Sequence, residues 1–482
     1  MTEQSLKDKT AKGLFWGGVS NGIQQLLNLL FGIFLAPLLT PADYGMVGML
    51  TIFSLIASSI QESGFTTALA NKKDIKQEDY NAVFWFSILT SICIYTILFF
   101  CAPLIAKFFG QPELTSLARF SFLGFVISST GIAQNAYMFR NLMVKQKAQS
   151  TTIGLVVSGI AGITLAYNGF SYWGIAAQSI IYIATTMTCY WFFSPWRPNL
   201  RLNFNPLKSM ILFSCKILAT NIFNHLNNNI FSIILGKFYS EKEVGYYNQA
   251  NKWNQMGYSL VSGMINSVAQ PVLAQVSEDK DRQLRVFSKM MRFTAFISFP
   301  IMLGLSLVAP ELITITITEK WMKSAQILQL LCISGAFIPI TSLCSYLIVS
   351  KGKSDIYMWN TITLGILQLA VMCLIHSYGI FTMIVTYICI NIGWILVWHH
   401  FVQKEIQYKL FSLVKDIAPF LLSSVFVMGA TFYFTSSITN IYLLFISKII
   451  LACILYIGIM WISGTPIFKE SISYIFYLKR NK

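Results

Sequence analysis

Runs of 20 to 28 mostly apolar residues alternate with short polar connections along the chain, and ten-residue alternating strands of the membrane-barrel kind are missing from it. The pattern predicts helices over 13–39, 44–70, 80–108, 115–140, 149–167, 172–193, 208–236, 245–275, 286–309, 325–349, 355–376, 380–401, 413–435 and 441–463. Two of these, 208–236 and 245–275, are long enough to cross a bilayer yet carry a density of amides that lipid does not tolerate. At about 100° per residue, Asn248, Lys252, Gln255, Ser259, Ser262, Asn266 and Gln270 fall within about 80° of one another, a polar stripe along the whole of 245–275. Asn221, Asn224, His225, Asn227, Asn228 and Asn229 make the middle of 208–236 equally polar. Such faces must meet water or each other, so the pair reads as the wall of a polar cavity.

The first two segments show the same habit. Gly17, Asn21, Gln24, Gln25, Asn28 and Gly32 share a face of the first, and Thr51, Ser54, Ser58, Gln61 and Glu62 a face of the second. An internal repeat explains the likeness. The stretch Leu35 to Gly45 aligns at an offset of 200 with Leu235 to Gly245; Ala102 and Pro103 answer Ala309 and Pro310, and Lys145 and Lys147 answer Lys351 and Lys353. Segments one to six thus recur as seven to twelve. Because six is even, the copies share one orientation, with an axis along the membrane normal, as in transporters built of two rocking lobes. The expected fold is an all-α polytopic membrane protein of about fourteen transmembrane helices. Residues 1–200 form an N-terminal six-helix lobe, 201–402 a second, and 403–482 two additional helices and a tail.

Composition agrees with this class. Hydrophobic residues make up 55% of the chain and charged ones 11%, with a mean hydropathy of +0.60, whereas soluble domains are about one-quarter charged. The net charge of +16 suggests nucleic acid until the cations are placed. Of the 35 Lys and Arg, 26 fall in the termini and even-numbered loops, which is the positive-inside bias and puts both termini in the cytoplasm. No nucleic-acid partner is expected. The nine cysteines sit in apolar context without metal-ligand or disulfide spacing, so neither metal nor cofactor is expected. Ser5 and Asp8 fit a capping box that opens a short interfacial helix, with the first span kept as an anchor. The outward loops are tiny, the longest being about 310–324, so a membrane enzyme acting on lipid-linked sugars would lack its outward cluster of Asp, His or Arg.

The chain resembles a known family at several places. Gly64 to Ala68, Lys72 to Asp74, Val83 to Trp85 and Ala102 to Gly110 resemble the first lobe of Wzx-type polysaccharide flippases of the MATE-like (MOP) superfamily, in the branch of colanic acid and teichuronic acid exporters. Val244 to Lys252, the Gln270–Pro271 step, Glu319 to Trp321 with Ala325, and Gly352 to Asp355 resemble the second. The resemblance implies a transporter, not an enzyme, that turns an undecaprenyl-pyrophosphate-linked oligosaccharide from the cytoplasmic to the outer leaflet of the bacterial cytoplasmic membrane. It further implies service to surface polysaccharide or lipopolysaccharide synthesis, a coupling proton or sodium ion and a polysaccharide polymerase as partner. A MATE-like ion-coupled drug or metabolite exporter has the same fold and stays open.

A pyrophosphate needs cations and a glycan needs amides that donate and accept at once. The substrate-binding candidates are therefore Lys252, Asn248, Gln255, Asn224, Asn228, Asn21, Gln25 and Lys216, with Glu62 and His225 as candidates for ion coupling. Each has a plainer reading. Lys252 and Lys216 can snorkel, Glu62 can pair with Lys72 or Lys73, and His225 can be a hydrogen-bonded structural residue. Lys448 reads as an interfacial lysine or a lobe contact.

Overall fold

The computed structural model describes residues 22–62, 69, 75–141, 143–200, 203–205, 207 and 211–470, with backbone alone at 62, 211–217, 219, 220, 266–268, 270, 271 and 274. Its helices are α1 (Gly22–Leu38), α2 (Pro41–Glu62), α3 (Gln77–Phe109), α4 (Leu114–Ser129), α5 (Ile132–Arg140), α6 (Val144–Tyr167), α7 (Ser171–Phe193) and α8 (Ile211–Phe238). They continue as α9 (Glu241–Gln275), α10 (Lys280–Ile317), α11 (Met322–Gly335), α12 (Ile338–Ser350), α13 (Ser354–Ile375), α14 (Ile380–Ile406), α15 (Leu410–Thr435) and α16 (Ile441–Ile462). No strand occurs among the described residues. The protein is an all-α, multi-pass membrane protein. Each of the fourteen expected segments is mostly helical where it is described, two of them with a break inside. Among the described residues nine helical stretches are long and apolar enough to cross a membrane, ten with the bent pair α4–α5. The long helices α7, α8 and α9 fall outside that set, the last two through their amides.

Residues 1–245 form one compact unit and residues 246–482 another, the division falling inside α9. In the first unit α6 and α7 form a hairpin, α3 packs on α4, and α2 packs on α4, α7 and α8. Small residues let α6 and α7 approach: a Cβ on Gly154 would strike the Thr186 hydroxyl, and one on Gly162 the Gln178 amide. The strap after α7 is laid along the start of α3. Trp196 lies 5.9 Å from the Tyr80 ring and 5.8 Å from Phe84, while Asn199 donates to Asn81 and accepts from the Trp85 indole.

In the second unit α10 is the hub, against which α11, α12, α14, α15 and α16 all pack. Asp279 caps its start by accepting from the Arg282 N–H. The helix runs through Pro300 and Pro310 to Ile317, so the expected outward loop over 310–324 shrinks to a turn at Thr318, with φ +80, and a short 3₁₀ helix at Glu319–Trp321. A proline costs a helix one hydrogen bond and a clash with the preceding turn, and packing against neighbouring helices carries α10 through it.

The repeat is visible in the backbone. Segments expected as single helices over 115–140 and 325–349 break at Thr130–Gly131 and at Ala336–Phe337, an offset of 206. Pro103 and Pro310, an offset of 207 apart, both lie inside their helices. The starts of α2 and α9 cross so tightly that a Cβ on Gly45 would overlap the Glu241 carbonyl, and a Cβ on Gly245 the Pro41 carbonyl. Those four residues pair at the offset of 200.

Candidate functional site

On α9, Asn248, Lys252, Gln255 and Ser259 keep to one face, with Asn248 half-buried and the other three exposed. The opposite face is packed: Trp253, Asn254 and Gly257 are buried, and Asn254 and Met302 fill the place a Cβ on Gly335 would need. The 3.6-residue period therefore sorts α9 into a structural side and an open polar side. Among the described residues no carboxylate pairs with Lys252. An ammonium without a carboxylate partner, flanked by two amides, can take a phosphate oxygen and sugar hydroxyls together.

In the first unit, Asn224 is half-buried and Asn228 exposed one turn later on α8, and Gln25 is exposed on α1. His225 is half-buried, and its carbonyl accepts from the Asn229 amide. Asn21 and the side chains of Lys216 and Glu62 lie outside the described residues. The structure thus groups Asn248, Lys252 and Gln255 on one helix face and Asn224 with Asn228 on another. Gln61 behaves differently from the face it was assigned to: it is buried, and its amide donates to the Phe125 carbonyl at 2.8 Å and to Ser128 at 2.9 Å, pinning α2 to α4.

Sequence reasoning missed the polar centres of the second unit. Lys448 on α16 and Glu311 on α10 form an ion pair at 2.6 Å with both side chains buried. The pair ties α16 to α10 within the second unit. Near the other end of α10, Asp416 accepts from the Tyr408 hydroxyl at 2.8 Å and from Ser288, and lies 3.3 Å from Arg292. Burial, with Asp416 accepting its O–H, pushes the Tyr408 phenol well up. A cavity of about 430 Å³ opens beside this network, lined by Arg285, Ser288, Arg292 and Ser412. An adjoining apolar one of about 500 Å³ is lined by Met264, Val272, Met290 and Phe293. Among the described residues no three His, Cys, Asp or Glu side chains converge as metal ligands would.

The family model described as "Polysaccharide biosynthesis protein" matches residues 34–326. The chain belongs to that family. It is 24% identical to the lipopolysaccharide biosynthesis protein WzxC of Escherichia coli (strain K12) over 73% of this chain and 72% of that protein. It is 23% identical to the teichuronic acid biosynthesis protein TuaB of Bacillus subtilis (strain 168) over 87% of this chain and 88% of that one. Among solved structures the fold is similar to the lipid II flippase MurJ in an inward closed conformation, with TM-score 0.73, 16% identity, and 97% and 99% of the two chains covered. An inward-facing MATE family multidrug transporter of the MOP superfamily follows at TM-score 0.58, 15% identity, 84% and 95% coverage.

Proposed function

We propose that this protein is a flippase that carries undecaprenyl-pyrophosphate-linked oligosaccharide repeat units across the bacterial cytoplasmic membrane for surface polysaccharide synthesis. It is a transporter acting on lipid-linked polysaccharide precursors. Family membership supports the class of substrate, and the observation that carries the mechanism is the open face of α9, where Lys252 stands without a carboxylate between Asn248 and Gln255. Lys252 takes the pyrophosphate or an anionic sugar, while Asn248, Gln255, Asn224, Asn228, Asn21 and Gln25 exchange hydrogen bonds with the glycan. Lys216 meets the phosphate on its way in. Fourteen spans in two six-helix lobes, 1–200 and 201–402, with 403–482 appended and both termini cytoplasmic, present the substrate to one side and then the other. Glu62 and His225 couple the cycle to a proton or sodium gradient, and a polysaccharide polymerase receives the product.

Deletion of the gene tests the reading in its own host. The expected result is loss of surface polysaccharide with lipid-linked repeat units accumulating on the cytoplasmic side. A deletion strain with normal surface polysaccharide and no accumulation refutes it.

A further inference from the structure

Proline inside a helix has no N–H, so the carbonyl four residues earlier loses its partner, and in lipid no water replaces it. In α3 the carbonyl released by Pro103 belongs to Phe99. Arg119 of α4 donates its Nε–H to that oxygen at 3.3 Å and lays its guanidinium 4.2 Å from the centre of the Phe99 ring. In α10 the carbonyl released by Pro300 belongs to Phe296. The Tyr456 hydroxyl of α16 donates to it at 2.8 Å, with the Tyr456 and Phe296 rings 5.9 Å apart. Each unit therefore has one long helix with a gap in its ladder and a side chain from a neighbouring helix closing it.

Helix α10 has a further tie, outside the gap. Beside Pro310, Lys448 donates to the Leu307 carbonyl at 3.3 Å as well as to Glu311. Lys448 and Tyr456 lie eight residues apart, about 12 Å along α16. Between their two attachments α10 is not filled in: a cavity of about 320 Å³ remains, lined by Pro300, Gly304, Met428, Lys448 and Tyr456. Fixed ends with a loose middle are what a helix that bends at a proline needs.

We propose that Arg119 and Tyr456 are positioning residues for translocation, closing the proline gaps at which α3 and α10 flex, and that Lys448 anchors α10 beyond its gap. A side-chain donor can release a carbonyl and recapture it, which a backbone N–H inside a helix does far less readily. The C-terminal pair of helices beyond the repeat thereby gains a purpose, because α16 splints α10. This rests on the transporter reading, but its test separates from it.

The experiment is a double-mutant cycle between Tyr456→Phe and Pro300→Ala, read in two ways. In proteoliposomes, Tyr456→Phe slows translocation of a lipid-linked oligosaccharide by about fivefold to tenfold, the range one hydrogen bond commands. In the Pro300→Ala background, where the backbone supplies the N–H to Phe296, the same change has no further effect. The second readout needs no substrate: nitroxide labels at positions 293 and 312 of a cysteine-free chain report the bend of α10. Their distance distribution broadens on Tyr456→Phe and narrows again when Pro300→Ala is added. Arg119→Met with Pro103→Ala repeats the cycle in the first unit should Tyr456→Phe fail to fold. Equal effects of Tyr456→Phe in both backgrounds, or an unchanged label distribution, overturn the proposal. Inactivity of the unmutated protein with the label result intact overturns the transporter reading alone.

Discussion

Gly45 and Gly245 occupy equivalent places in a reciprocal crossing: each lies where the other helix's backbone carbonyl, at Glu241 and Pro41 respectively, leaves no room for a Cβ. The offset of 200 that relates the glycines also relates the two carbonyls, so a sequence repeat has become a local two-fold contact. Backbone cannot move aside as a flexible side chain can.

Alanine at either glycine is therefore expected to cost about 1–3 kcal/mol or more through overpacking. The two losses should be similar. Gly429→Ala, where a Cβ meets nothing within 4 Å, serves as the neutral control. Thermal unfolding in detergent measures all three, and a Gly45→Ala protein as stable as the control would show that the crossing is not this tight.

The buried Lys448–Glu311 pair makes a contrasting prediction. Lys448→Met or Glu311→Leu alone leaves one charge buried without its partner and should destabilise by about 3–5 kcal/mol. The double replacement should recover much of that loss, because the lone charge is gone. Thermal unfolding of the three variants measures the coupling, and additive losses would contradict a direct pair.

Much of this architecture is legible in the sequence, and what is not has identifiable physical causes. The polar stripe through Asn248, Lys252 and Gln255 is readable because a helix repeats every 3.6 residues, and the structure leaves that face open. The continuation of α10 through Pro310 is not readable, because whether a proline ends a helix depends on what surrounds the freed carbonyl. The breaks at Thr130–Gly131 and Ala336–Phe337 carry only short local signals, Ser128 to Gly131 in one and Gly335 with Pro339 in the other, which the apolar runs on either side outweigh in a span-length reading. Lys448 could be placed in a helix, but its partner lies 137 residues away, and nothing local to either residue announces the other. Gln61 shares a face with hydroxyl residues, yet its partners Phe125 and Ser128 belong to another helix. Glu62 and Lys216 keep the standing they have in the sequence, since their side chains lie outside the described residues.

Tyr408 predicts a pH dependence. Its phenol is raised above the ordinary value of about 10, so the protonated form is the one folding favours. The stability it contributes through Asp416 is then fully present below about pH 10 and declines above it, as the unfolded chain ionises first. Tyr408→Phe should lower the unfolding temperature by a constant amount between about pH 7 and 9, and by less in more alkaline solution. A difference that grows with pH would contradict the sign.

Reporter fusions at Asn168, after α6, and at Lys353, before α13, are expected to report opposite sides of the membrane. Both on one side would overturn the proposed orientation of the spans.

In the proposed cycle the open face of α9, with Lys252 as its cation, carries a lipid-linked anion across the bilayer. The most direct test is a reconstituted assay in which a fluorescent oligosaccharide on undecaprenyl pyrophosphate, loaded in one leaflet, is followed as it becomes protected from a membrane-impermeant quencher. The unmutated protein is expected to move it, Lys252→Ala to abolish movement while remaining folded in the membrane, and Lys252→Arg to retain part of it because the charge remains. Transfer by Lys252→Ala at the rate of the unmutated protein would show that Lys252 does not carry the anion.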